Sequence, residues 1–221
     1  MPRSWTTQKG GSVTLTVSGR NNVYLIESGA VVMLVDAGMS YMYDNLLSKI
    51  NRSGVKPDII ALTHAHYDHA ENTRRLKEHF SAKVLIHAKE AAHLAAGVNP
   101  EDAPIAGTFT IEGENYPPVE ADIVVNESQK FGDGITLMHT PGHTPGSISV
   151  IVDGEIAVVG DAMFSVHPGQ AMVPYVMERN TLLKSWKKLF GTNCRLFLPV
   201  HGRPITRETA EEEYRKYGGK I

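Results

Sequence analysis

The sequence predicts an α/β protein in which two β-sheets pack face to face and helices cover their outer surfaces. Short strands alternate with amphipathic helices along both halves of the 221-residue chain. Each half also contains a strand that runs into a threonine and then delivers histidines, at residues 62–66 and 139–143. No low-complexity linker separates the halves, so we expect one domain over residues 1–221.

In the first half, strands are predicted where β-branched residues cluster or alternate with polar ones, and helices where apolar residues recur every three or four positions. Ser28-Gly29 is a suitable hairpin turn, and Gly54 is a suitable residue to end the first helix. The predicted strands are residues 13–17, 22–27, 30–36, 58–62 and 83–87, and the predicted helices are residues 41–50, 70–80 and 89–96.

The second half repeats this style after an irregular excursion at residues 97–116. The prolines and glycines of the excursion break regular structure, leaving one short strand at residues 108–111. Such excursions often carry functional groups. Asp153-Gly154 predicts a hairpin turn. The predicted strands are residues 121–125, 135–140, 147–152, 155–160 and 195–200, and the predicted helices are residues 181–190 and 207–217.

The composition narrows the partners and the compartment. There are 22 basic and 24 acidic residues, which gives no electrostatic reason to expect nucleic acid or an anionic membrane as partner. A single cysteine, Cys194, fits a reducing compartment. The N-terminus has no apolar segment typical of a signal peptide, and the apolar runs are of strand length. We expect a cytoplasmic protein with a small-molecule substrate; a homodimer is compatible with the sequence.

Histidines and one aspartate are concentrated directly after a predicted buried strand. His64, His66, Asp68 and His69 fall within six residues. Imidazole nitrogens and carboxylate oxygens suit zinc, iron or manganese. His64 and His66 are two residues apart and therefore point the same way on an extended segment. Asp68 and His69 stand at the turn into a helix, whose positive end favours the Asp68 carboxylate, and they face a second point in space.

Three further candidate ligands follow strands in the second half of the chain. His143 lies among glycines that allow close approach of the main chain, while Asp161 and His201 each end a strand. Seven ligands are too many for one ion and suit two. We assign one ion to His64, His66 and His143, the other to Asp68, His69 and His201, and a bridging role to Asp161. Two divalent ions are expected, zinc before iron or manganese.

These runs resemble a known family. The segment THAHYDH resembles the signature of the metallo-β-lactamase superfamily, and HTPGHTPGS resembles its glyoxalase II-like branch. The resemblance extends from about residue 13 to residue 201 and implies a four-layer αβ/βα sandwich with a dinuclear site, usually zinc, sometimes iron or manganese. The segments that carry it are residues 35–38, 63–69, 139–147, 159–161 and 199–202.

The sequence departs from several branches of that family. The β-lactamases that bind zinc through a cysteine have it where Asp161 stands, and those with three histidines on each zinc use no bridging aspartate. We therefore do not expect a dedicated antibiotic-hydrolysing enzyme. Glyoxalase II carries a helical C-terminal domain that holds glutathione, whereas only 20 residues follow His201. No basic excursion resembles the RNA-gripping arm of the tRNA 3′-processing nucleases.

The expected reaction is hydrolysis of an ester, thioester, lactone or phosphodiester by a hydroxide bridging two metal ions, whose pKa falls toward 7. Asp68 is the expected proton acceptor as well as a ligand. Asp36 is expected to support a ligating histidine; the alternative is a turn-capping role. The candidates for substrate contact, chosen because they lie beside the motif loops, are Met39, His167, Tyr175 and Arg203.

Two other functions remain open at the level of sequence. Some proteins that resemble the glyoxalase II-like branch are persulfide dioxygenases with a single iron, which here would be held by His64, His143 and Asp161. A non-enzymatic metal-binding protein is the remaining alternative. Oxygen consumption with a persulfide distinguishes the dioxygenase from a hydrolase. Full activity after substitution of Asp68 would favour the non-enzymatic metal-binding protein.

Overall fold

A computed structural model describes residues 3–100, 115–171 and 178–218. Within these ranges the chain forms two β-sheets and six α-helices. The strand predicted at residues 108–111 and most of the excursion lie outside the described residues.

The first sheet contains seven strands, ordered as they follow one another along the chain. Neighbours from the first to the fourth strand are antiparallel, and from the fourth to the seventh they are parallel. Parallel neighbours require crossover connections, and helices supply them. The strands are β1 (Arg3–Thr6), β2 (Ser12–Val17), β3 (Val23–Ser28), β4 (Val31–Val35), β5 (Ile59–Ala61), β6 (Lys83–His87) and β7 (Ile123–Val125).

Four helices belong to this half of the chain. A 3-10 turn (Ser40–Met42) leads into α1 (Tyr43–Ser53), which connects β4 to β5. The helices α2 (Tyr67–Ala70) and α3 (Thr73–Phe80) connect β5 to β6, and α4 (Ala88–Ala96) follows β6.

The second sheet contains six strands in the order β13-β12-β11-β10-β9-β8. Only β11 and β12 are parallel neighbours among its described strands, and α5 (Arg179–Phe190) connects them. The helix α6 (Arg207–Lys216) follows the last strand. The strands are β8 (Gln129–Lys130), β9 (Ile135–His139), β10 (Ile148–Val152), β11 (Ile156–Gly160), β12 (Leu196–Pro199) and β13 (Ile205–Thr206).

Three apolar clusters hold the layers together. Successive strand residues point to opposite faces of a sheet, so each sheet can pack against a different layer on each face. Leu34 and Ile60 face α1, α3 and α4 on one side of the first sheet. Their neighbours Met33 and Ala61 face the second sheet, where they meet Val158 and other inward residues. A third cluster lies between the second sheet and the helices α5 and α6. The layers therefore follow in the order helix, sheet, sheet, helix, which confirms the predicted α/β sandwich.

Most predicted elements are present, and three predictions are wrong in detail. The helix predicted at residues 70–80 is two helices, and at the break between them the buried Asn72 side chain donates to the main-chain carbonyl of Met39 at 2.6 Å. The first hairpin turns at Gly29-Ala30, since Ser28 pairs with Val31. The short strands β1, β8 and β13 were not predicted; they have weak patterns of their own.

Candidate metal centre

The candidate ligands meet where the two sheets present the same edge. The loop after β5 carries His64, His66, Asp68 and His69, and the β9–β10 connection carries His143. Asp161 follows β11, and His201 follows β12. All seven side chains predicted as ligands therefore come together, although they span residues 64–201 of the sequence.

One group of possible ligands consists of three buried histidines. The Nδ1 atom of His66 lies 2.8 Å from Nε2 of His64 and 3.1 Å from Nε2 of His143. A ring nitrogen of neutral imidazole has either one N–H or one lone pair, so a single nitrogen cannot form good hydrogen bonds with both neighbours. Three lone pairs directed at one cation satisfy all three nitrogens. We call these residues the three-histidine group.

A second group consists of Asp68, His69 and His201. His201 Nε2 lies 3.4 Å from Asp68 Oδ2, and His69 Nε2 lies 3.9 Å from Asp68 Oδ1. The helical turn α2 begins at Tyr67, so Asp68 stands in its first turn and not before the helix that was predicted to start at residue 70. We call these residues the mixed group.

Asp161 lies between the two groups. Its Oδ2 atom is 3.4 Å from Nε2 of both His143 and His201, and its Oδ1 atom is 3.4 Å from Nε2 of His69. Both Asp161 Oδ1 and His69 Nε2 are buried without a hydrogen-bond partner. Buried polar atoms are rarely left in this state unless an ion or water completes them. The donor set therefore fits two cations that share the Asp161 carboxylate.

Close packing explains the glycine before Asp161. Gly160 has a φ of 53°, and a Cβ atom there would lie 2.6 Å from the Cβ of Thr63. Only glycine allows the end of β11 to approach the loop that carries the first histidines. The contact joins the two halves of the centre.

Hydrogen bonds behind the histidines fix which ring nitrogen faces the centre. Asp36 accepts from His69 Nδ1 at 3.0 Å, and the Arg20 carbonyl accepts from His201 Nδ1 at 3.0 Å. Thr63 Oγ1 donates to Asp36 at 2.9 Å and lies 3.1 Å from His64 Nδ1. Each of these three histidines therefore directs Nε2 at the centre, in the arrangement common to metal-binding histidines. Asp36 therefore contacts a candidate ligand, and its supporting role stays a prediction.

The protein charges set the protonation of the centre. Burial, reinforced by neighbouring histidines, lowers the pKa of His64 well below its ordinary value. Burial also opposes the charge of His201, yet Asp161 and Asp68 outweigh it and raise the pKa of His201 to about 10. Burial raises the pKa of Asp161, but His201 and His69 together hold it well below its usual range. The carboxylates of this cluster therefore attract cations, whether protons or metal ions.

Sequence reasoning missed several side chains that contact the loops of the centre, and Asn21 and Glu90 are two of them. Asn21, buried in the β2–β3 turn, donates from Nδ2 to Asp68 Oδ2 at 3.0 Å. Glu90, buried in α4, accepts from the main-chain N–H groups of Ala65 and Gly146. Neither residue belongs to a recognisable motif, and their partners are 25 or more residues away in sequence, so no local signal identifies them.

The predicted substrate contacts have different surroundings. Met39 is half-buried and packs against the first apolar cluster, which leaves its side chain less free for a substrate than predicted. His167 and Arg203 are exposed. Arg203, two residues after His201, donates from its main-chain N–H to the carbonyl of Ser165. Tyr175 lies outside the described residues. Contact of these residues with a substrate stays a prediction.

Phe164 forms an apolar wall beside the centre. Its ring centroid lies 4.6 Å from that of His201 and 6.5 Å from that of His143. The side chain is buried, so it limits the access of water to this side of the cluster.

No helix among the described residues has the length and apolar character needed to cross a membrane.

The four-layer fold and the cluster of histidines and aspartates at its edge are typical of metal-binding α/β proteins. A model of the metallo-β-lactamase superfamily matches residues 18–201, and the chain belongs to that superfamily. A probable metallo-hydrolase of Methanocaldococcus jannaschii is 31% identical over 82% of this chain and 87% of its own length. A probable metallo-hydrolase of Bacillus subtilis is 26% identical over 90% of this chain and 87% of its own length.

Solved structures share the fold at lower identity. A B3 metallo-β-lactamase superposes with a TM-score of 0.71 at 23% identity, covering 95% of this chain and all of the other. A protein crystallised in a di-iron-bound form superposes with a TM-score of 0.68 at 24% identity, covering 90% of this chain and 96% of the other. At these identities the likeness establishes the fold alone.

Proposed function

We propose that this chain is a metallohydrolase whose centre holds two divalent ions and cleaves an ester, thioester, lactone or phosphodiester bond. The observation that carries the proposal is the position of Asp161, whose carboxylate lies 3.4 Å from imidazole nitrogens of both ligand groups. Zinc is the first choice of metal. Iron and manganese suit the same donors, and one protein of this fold has been crystallised with two iron ions.

Two divalent ions held by the three-histidine group, the mixed group and Asp161 would supply a water of lowered pKa and would polarise the substrate carbonyl or phosphoryl oxygen. The protein's own residues do the rest. Asp68 is ionised, because His69 and His201 outweigh the effect of its burial and hold its pKa below the ordinary range. Its carboxylate accepts the proton of the attacking water and delivers it to the leaving group. Asn21 orients that carboxylate by donating to Oδ2.

The same residues support two ions better than the single-iron alternative. An iron held by His64, His143 and Asp161 would leave His69 Nε2 buried beside the carboxylates of Asp161 and Asp68, at 3.4 and 3.9 Å, without a hydrogen bond of good geometry. We propose in addition that the substrate is a small molecule and that the protein is cytoplasmic, as the single buried cysteine, Cys194, supports.

Metal analysis and a substrate panel test the proposal. Protein purified without added zinc is expected to contain two metal equivalents per chain and to hydrolyse at least one of a lactone, a thioester and a phosphodiester. Chelation should abolish the activity, and the metal should restore it. Asp161→Asn, which keeps the shape of the side chain and removes one ligand oxygen, should lower the metal content.

Full hydrolytic activity with one tightly bound ion would refute the dinuclear centre. Oxygen consumption with a glutathione persulfide and no hydrolysis would instead support the single-iron dioxygenase. Unchanged activity in Asp68→Asn would refute the role given to that carboxylate. Fractionation of the source cells tests the proposed cytoplasmic location.

A further inference from the structure

We propose that Glu90 and Tyr116 form a clamp on the main chain of Ala65 that positions the three-histidine group, and that this clamp sets the affinity of the chain for one of its two ions. We call this arrangement the Ala65 clamp. The inference rests on the proposed metal centre and assigns roles to two positioning residues that do not themselves contact the ions.

Glu90 ties together the two loops that supply the three-histidine group. Its Oε2 atom accepts from Ala65 N at 3.2 Å, and its Oε1 atom accepts from Gly146 N at 2.8 Å. Ala65 lies between His64 and His66, and Gly146 lies three residues after His143. One side chain therefore fixes the separation of two loops that are about 80 residues apart in sequence.

Tyr116 holds Ala65 from the other side. Its hydroxyl donates to the Ala65 carbonyl at 2.8 Å, and the side chain is buried. The N–H bound by Glu90 belongs to the peptide that joins His64 to Ala65, whereas this carbonyl belongs to the peptide that joins Ala65 to His66. Both peptide planes are held, so the directions of the two neighbouring imidazoles are held as well.

Both residues of the clamp are connected to α4. Glu90 stands in the first turn of that helix, where the helix dipole stabilises a negative charge. Tyr116 N donates to the carbonyl of Gly97, the residue that follows the helix, at 2.9 Å. The clamp is therefore attached to an element outside the loops that carry the ligands.

The chemistry of Glu90 indicates more than space filling. Its side chain has no exposed surface, and a buried carboxylate is costly unless hydrogen bonds compensate it. A carboxylate accepts from one N–H group with each of its two oxygens, whereas an amide has only one oxygen and an apolar residue has none. Position 146 has room only for glycine, since a Cβ atom there would lie 2.4 Å from Cγ of Glu90.

The mixed group depends on other supports. Asn21 donates to Asp68, Asp36 accepts from His69, and the Arg20 carbonyl accepts from His201. None of these three contacts involves Glu90 or Tyr116. Loss of the clamp should therefore lower the affinity for the ion at the three-histidine group and leave the affinity at the mixed group unchanged. A general loss of stability would not produce this result.

Glu90→Gln tests the clamp with little change of shape. The remaining oxygen keeps one N–H partner, while the new amide group points its own N–H at the other. Cobalt(II) is titrated into metal-free protein and followed by visible absorption. Reference spectra of His143→Ala and His201→Ala assign bands to the three-histidine and mixed groups. Affinity at the three-histidine group should fall roughly 10–100-fold, and affinity at the mixed group should stay within about threefold.

Asn21→Ala is the matched control, because it removes a hydrogen bond to the mixed group. It should weaken that group and spare the three-histidine group. Tyr116→Phe removes only a hydroxyl, and should cost roughly fivefold at the three-histidine group, the size of one net hydrogen bond. If Glu90→Gln does not fold, Tyr116→Phe decides the matter.

The possible failures differ. Wild-type protein that binds two cobalt ions, together with variants that bind them equally well, refutes the clamp and leaves the proposed function standing. Equal weakening of both groups in Glu90→Gln also refutes it, since that is the result of a general structural role. Wild-type protein that binds no cobalt refutes the metal centre, and the clamp with it.

Discussion

The support of His69 by Asp36 allows a sharp prediction for the variant Asp36→Asn. The carboxylate accepts from Thr63 N at 2.7 Å, from Thr63 Oγ1 and from His69 Nδ1. Asparagine keeps the volume of the side chain. It also tolerates the main-chain φ of 62° at this position, so the loop should not move. The substitution changes hydrogen bonding and little else.

The structure determines which bond is lost. The Thr63 N–H must keep an oxygen opposite it, so the new amide nitrogen faces His69 Nδ1, where two donors meet. His69 must then give up this hydrogen bond or move its proton to Nε2, the atom directed at the centre. A lost charge-assisted hydrogen bond is worth about 1.5–3 kcal/mol. This corresponds to a roughly 10–100-fold loss of metal affinity.

The assay is a competition titration of zinc between metal-free protein and a chromophoric chelator. Asp44→Asn is the control, because Asp44 is an exposed aspartate in the first turn of α1. We expect Asp36→Asn to lower the zinc affinity of the mixed group, and we expect the control to leave both affinities unchanged. Unchanged affinities in Asp36→Asn would refute the orienting role of Asp36, and an equal loss in the control would refute the reasoning as a whole.

Three further predictions follow from the charges and burial of named side chains. The pKa of His201 is raised to about 10 and that of His69 is also raised, so both imidazoles are positively charged at pH 7 in the metal-free protein. Metal uptake should therefore release about two protons per chain and weaken as the pH falls, and calorimetry in buffers of different ionisation enthalpy that shows no release would contradict this. Arg203→Ala should raise KM for a phosphodiester roughly two- to fivefold, the size of an exposed ion pair, while KM for a neutral lactone stays constant; equal effects on both would argue against anion binding. Burial raises the pKa of the Cys194 thiol, so a thiol reagent should label it only after unfolding, and rapid labelling of the native protein would contradict its burial.

Local chemistry made much of the fold predictable. The helix that ends at Gly54 and the strand at residues 83–87 were predicted because glycine at a helix end and β-branched periodicity act within a few residues. The break between α2 and α3 was not predicted, and at this break Asn72 contacts the main-chain carbonyl of Met39, which is distant in sequence. A sequence pattern contains no information on that contact.

The same division holds at the metal centre. The sequence alone indicated the seven candidate ligands, because the spacing of His64, His66 and His69 and the turn chemistry around His143 are local features. A position for Asp161 between two groups was also predicted from the sequence, but only the tertiary structure gave the distances and revealed partners of these loops such as Asn21 and Glu90. Ligand identity is a property of short segments. The geometry that separates one ion site from the other depends on the packing of two sheets and a helix, which no short segment determines.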